Sequence, residues 1–119
     1  MIIRLLITLI LLTQLSYAAD NCKTISDKAD SEGILIDSNR SGYKVVEKSR
    51  LYFYKSPNEN CRDTIFIVNG DYVDSYLEYN GFMYIMYFSR DGNVFTGWVK
   101  SSGLTPAGLG VGAPKSNNR

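Results

Sequence analysis

The sequence predicts an all-β fold, a small antiparallel barrel of about five short strands, with an N-terminal extension before it and a disordered C-terminal tail after it. Three observations carry this. Of 9 Tyr, 5 Phe and 1 Trp, all but Tyr17 fall between Tyr43 and Trp98, and so dense a run of aromatic and β-branched residues is strand composition. Gly, Asn, Asp and Pro interrupt that stretch roughly every 8 to 12 residues, the spacing of turns in small all-β domains. No apolar pattern of helical period stands out after the first residues. At 119 residues, with 45% hydrophobic and 21% charged, the chain fits a single domain with one small core.

The elements follow in order. Residues 1–4 make a short positive start, residues 5–12 are apolar, and Ser16-Tyr17-Ala18 ends the run with small residues at its first and third positions. This is the pattern of a secretory signal peptide over 1–18, cleaved after Ala18, and the run is shorter than a membrane span requires. Residues 19–42 are polar, with one apolar patch at Ile34-Leu35-Ile36 and turn chemistry at Asp37-Ser38-Asn39, and read as the N-terminal extension. The barrel is predicted over 43–104. Strands are expected at 43–46 and 50–55, the second alternating Leu51 and Phe53 against Tyr52 and Tyr54. A loop at Pro57-Asn58-Glu59-Asn60 precedes a strand at 64–68, and the Asn69-Gly70-Asp71 turn leads into residues 72–79. Asn80-Gly81 turns the chain into 82–88, Asp91-Gly92 predicts a type I′ hairpin, and 94–100 is the last strand. Ser101-Ser102-Gly103-Leu104 reads as one tight helical turn. Residues 105–119, with Pro106, Gly108, Gly110, Gly112 and Pro114, are predicted to be a mobile tail.

Charge and cysteine usage narrow the function. Lys plus Arg is 13 and Asp plus Glu 12; without Arg4 the two signs balance, so the basic footprint of a nucleic-acid binder or of a membrane-surface binder is missing. Histidine is absent, which removes Ser-His-Asp and Cys-His catalysis and His-ligated metals. No metal site, cofactor or phosphate loop is expected, and the chain is read as a non-enzyme. Cys22 and Cys61 are the two cysteines of an exported small domain and are expected to pair. Closing a loop of that length stabilises by about 4 kcal/mol in the chain-entropy model.

Two sets of side chains are candidates for function. Asp71, Asp74 and Glu78 sit on a predicted strand, and a carboxylate pair can hydrolyse a glycoside; a solvated strand face that blocks edge pairing is the stronger reading. The aromatic load exceeds what so small a barrel buries, so several of Tyr52, Tyr54, Tyr72, Tyr76, Tyr79, Tyr84 and Tyr87 are expected near the surface. Tyrosine brings rigid contact area with a polar tip, which suits a binding surface, although the same rings also serve as simple barrel cover. Tyr52, Tyr54 and Tyr76 are the predicted partner-binding anchors, with Asp74 and Glu78 at the rim.

Three segments give the chain a family resemblance over 43–104. Leu51-Tyr52-Phe53-Tyr54-Lys55-Ser56-Pro57, Asn69-Gly70-Asp71-Tyr72-Val73 and Gly97-Trp98-Val99-Lys100-Ser101-Ser102-Gly103-Leu104 together resemble the bacterial SH3-like domain. The likeness implies a five-stranded barrel closed by a Gly-Trp-Val strand and a short helical turn. It also implies a role in binding cell-wall or other peptides. The positions where eukaryotic relatives place a groove proline and tyrosine correspond to Lys100 and Gly103, so a polyproline groove is not expected. Cell-wall-targeting members usually accompany a hydrolase, for which a single domain leaves no room. The expected function is therefore that of a free-standing periplasmic or secreted bacterial protein that binds another protein. An immunity protein or inhibitor of a toxin or hydrolase fits best, with a cell-wall or peptide-ligand module as the alternative.

Overall fold

The computed structural model describes residues 21–110. The predicted signal peptide and its cleavage site, and the tail beyond residue 110, lie outside the described residues. One antiparallel sheet of eight strands runs in the order β4-β3-β7-β6-β5-β2-β8, with β1 beside β5. The strands are β1 Ile34–Leu35, β2 Gly42–Val45, β3 Leu51–Tyr54, β4 Arg62–Ile67, β5 Tyr72–Tyr79, β6 Phe82–Phe88, β7 Val94–Lys100 and β8 Leu104–Gly108. The sheet curls into a half-barrel, because its inner face must bring Val45, Leu51, Phe53, Ile67, Val73, Met83, Ile85, Val99 and Leu104 into one core. Among the described residues no helix is long and apolar enough to cross a membrane.

Alternation along the strands builds a second layer. In β6 and β7, Met83, Ile85 and Val99 point inward, whereas Phe82 and Trp98 join Tyr54 on the outer face. A helix, α1 (residues 21–32), closes over that face. No stretch of helical period was expected after the first residues, and this is a correction. Cys22, Ile25, Ser26 and Ala29 follow helical spacing and are all at least half-buried, and Ala29 reaches the cluster of Tyr54, Phe82 and Trp98. The helix stops at Gly33, whose N–H donates to the Ala29 carbonyl at 2.8 Å. A Cβ on Gly33 would stand 2.7 Å from both that carbonyl and the Leu77 side chain, so only glycine lets the helix end meet the sheet. The Cys22–Cys61 disulfide forms as expected, with a Cα–Cα distance of 5.9 Å, and ties the start of α1 to the start of β4.

Turn chemistry explains most connections. Asn80 (φ 52°) and Gly81 (φ 78°) form the two-residue hairpin between β5 and β6, and single 3-10 turns occupy Ser38–Arg40, Glu59–Cys61 and Ser101–Gly103. The β6–β7 connection differs from the expected type I′ hairpin. Ser89 N–H donates to the Asn93 carbonyl at 2.9 Å, so the loop closes around residues 89–93, and only Gly92 takes a positive φ there. Residues 105–108, expected in the tail, are strand instead. Leu104 is buried in the inner core, and the residues after it pair with β2, Thr105 opposite Lys44 and Pro106 opposite Tyr43. Pro106 is tolerated because β8 is an edge strand, where a missing N–H costs no ladder bond.

Candidate functional site

The β3–β4 hairpin carries the group of side chains least explained by folding. Tyr52 and Phe66 are direct cross-strand partners, and their rings meet edge to face at 5.8 Å. Arg50 lays its guanidinium 4.4 Å from the Phe66 ring centre, and Arg62 lays its own 4.6 Å from that of Tyr52. Cation, ring, ring and cation thus form one ladder across the outer face of the hairpin. An open depression of about 380 Å³ lies against it, lined by Arg50, Tyr52, Arg62, Asp63 and Thr64. The Asp63 carboxylate is turned to its own strand, where Oδ1 accepts from the Thr64 N–H at 2.6 Å and from the Thr64 hydroxyl at 3.4 Å. Neither arginine forms an ion pair among the described residues; the pair that does form is Lys100 with Glu59, at 2.6 Å.

The predicted anchors are not gathered in one place. Tyr52 belongs to the ladder. Tyr54 was expected at the surface but is only 6% exposed, because its ring meets Phe82 at 5.1 Å in the layer beneath α1. Tyr76 is 41% exposed but lies on β5, which β7 and β6 separate from Tyr52. Its hydroxyl reaches the Met86 sulfur at 3.8 Å, and partial burial, then the neighbouring Asp74 carboxylate, push the phenol's pKa up.

The carboxylates separate as well. Asp74 was expected at a solvated rim, yet it is 3% exposed, covered where the chain passes at Gly110: a Cβ there would stand 2.4 Å from the Asp74 Oδ1. Glu78 is half-buried opposite Met83. A bulge between Ser75 and Leu77 shifts the register of β5, so alternation does not carry from Asp74 to Glu78. Asp71 closes the β4–β5 turn, its Oδ2 accepting the Val68 N–H at 2.9 Å. These carboxylates therefore do not share one strand face. Sequence reasoning missed Arg50, Arg62 and Phe66 as a group. Their meeting depends on the Tyr52–Phe66 pairing, which a bulge between Tyr52 and Tyr54 offsets from the Tyr54–Arg62 pairing.

No protein-family model, no curated protein and no solved structure matches this chain. Among the described residues no three of His, Cys, Asp or Glu group as metal ligands do.

Proposed function

We propose that the protein is an exported, non-enzymatic binding module of SH3-like architecture whose target is another protein. Its part is that of an immunity protein or inhibitor acting on a toxin or hydrolase in the periplasm or outside the cell. The carrying observation is the ladder of Arg50, Phe66, Tyr52 and Arg62, exposed except for a half-buried Tyr52, on a hairpin held by the Cys22–Cys61 bridge. Arginine and tyrosine are the residues that dominate binding energy at protein interfaces, and a pre-ordered strand surface presents them at low entropic cost. The SH3-like reading is supported by the curled antiparallel sheet and by the 3-10 turn that follows Gly97-Trp98-Val99-Lys100. Export is supported by the leader pattern and by the disulfide, which persists in oxidising compartments.

The test compares two targets. Immobilised protein is exposed to periplasmic extract, the retained protein is identified, and its activity is titrated with wild type, Tyr52→Ala and Phe66→Ala. In parallel, purified cell wall is sedimented with the same three proteins. Inhibition that weakens at least tenfold in either folded variant is the expected result. Co-sedimentation with cell wall, with no inhibited protein, transfers the function to the cell-wall alternative.

A further inference from the structure

We infer that the β3–β4 platform binds the carboxylates of an acidic, extended segment of the partner protein, with Arg50 and Arg62 as its two cationic contacts. This rests on the binding-module reading and names the chemistry of its ligand. Each guanidinium lies over a ring, at 4.4 Å for Arg50 on Phe66 and 4.6 Å for Arg62 on Tyr52. A guanidinium over a ring keeps N–H donors along its edge, where they fit a carboxylate in a fork. Both arginines are exposed, neither has a carboxylate partner among the described residues, and both border the same depression of about 380 Å³. A guanidinium already resting over a ring has less rotamer freedom left to lose when a ligand arrives.

The surroundings select among anions. Ile65, Phe66 and Val68 are exposed along and just beyond β4, and β4 is the terminal strand of the sheet. A peptide that alternates acidic and apolar side chains meets both kinds of group, whereas a free phosphate meets only the arginines. A nucleic acid is disfavoured by the near-balance of charge over the chain, 13 basic against 12 acidic residues. Asp63 is the one carboxylate in the lining; hydrogen-bonded to Thr64, it is not a counter-ion for either arginine, yet its charge opposes an incoming carboxylate.

The exported protein, disulfide intact and labelled with nitrogen-15, is titrated with the hexapeptide Glu-Leu-Glu-Leu-Glu-Leu, with its Gln-for-Glu counterpart, and with inorganic phosphate. Expected are amide shifts at Arg50, Tyr52, Arg62 and Thr64 with the acidic peptide, and affinity about tenfold lower in Arg50→Gln/Arg62→Gln. Arg62→Lys, which keeps the charge but loses the fork, is expected to weaken binding, and Asp63→Asn to strengthen it. Equal binding of the Gln peptide, equal binding by the double variant, or full displacement of the peptide by equimolar phosphate overturns the inference. The reading beneath it fails separately. If Tyr52→Ala and Phe66→Ala both leave retention and inhibition of the natural partner unchanged, the platform is not the binding surface, whatever the peptides do.

Discussion

Removing the disulfide tests how the two layers depend on each other. Cys22 and Cys61 are 39 positions apart, so restoring chain entropy to the unfolded state costs about 4 kcal/mol of stability if the native state stays unchanged. The apolar burial of α1 is otherwise small. Ala29 is its one fully buried residue, Ile25 is half-buried, and Glu32 accepts a 3.4 Å hydrogen bond from the Tyr79 hydroxyl. Burying an alanine methyl and part of an isoleucine contributes about 2 kcal/mol, and an isolated helix of this length is marginal in water. In Cys22→Ser/Cys61→Ser, therefore, α1 should detach while the inner core keeps the half-barrel folded, and the global loss should fall short of ~4 kcal/mol.

Trp98 reports the event. It is the single tryptophan, 1% exposed in the cluster that Ala29 completes. Its emission should move to the red and become open to acrylamide in native buffer, while amides of β5, β6 and β7 stay protected from exchange and those of α1 do not. Unchanged Trp98 quenching together with the full entropic loss would show that α1 docks unaided. Loss of protection throughout β5–β7 would show that the inner core is not self-sufficient. Either result refutes the two-layer reasoning.

Three further outcomes follow from single residues. A Cβ at Gly97 would stand 2.9 Å from the Phe53 ring, so Gly97→Val should cost about 3 kcal/mol by overpacking, and an unchanged thermal midpoint would mean that Phe53 yields. The Ser56 hydroxyl is fully buried with no hydrogen-bond partner among the described residues, so Ser56→Ala should gain about 1 kcal/mol in urea unfolding; a loss instead would show that the hydroxyl is satisfied in solution. The Lys100 ammonium is raised above its ordinary 10.5, chiefly by its hydrogen bond to Glu59. Its share of stability is thus complete below pH 10.5 and disappears as pH rises through the raised value. Because both side chains are well exposed, Glu59→Gln should cost under about 1 kcal/mol at pH 7, and stability curves of wild type and variant should converge as pH rises through the raised value.

What could be read in advance was local. Asn80-Gly81 needs no tertiary context to make its turn, and the alternation of Leu51 and Phe53 with their neighbours is already a statement about two faces of a strand. The missing pieces depend on packing. The α1 stripe of Cys22, Ile25, Ser26 and Ala29 contains one large apolar residue, so its period shows only when a cysteine and an alanine are counted as buried. The bulge between Ser75 and Leu77 leaves no composition signal, yet it undoes the even spacing of Asp74 and Glu78, the two carboxylates predicted at the rim. Likewise Thr105-Pro106 looks like tail until Leu104, anchored in the core, delivers it to the edge of β2.

The aromatic surplus, which first suggested a binding surface, has two destinations. Tyr54, Phe82 and Trp98 are buried on the outer face, with Tyr52, Tyr79 and Tyr84 packed against them. That layer exists because a sheet with apolar side chains on both faces needs a second cover. Counting rings therefore overstates the surface available for binding, and Tyr54 was misplaced for this reason. Arginine is what distinguishes the rings left over. Tyr72 and Tyr76 stand exposed on β5, Tyr72 with Lys44 5.8 Å from its ring centre. Phe66, and Tyr52 where it packs against that layer, each carry a guanidinium held closer, and Phe66 lies on a strand that begins beside a bridged cysteine. Cys61 immediately precedes Arg62, so the bond that holds the helix over the buried aromatics also fixes the start of the strand that carries Arg62 and Phe66.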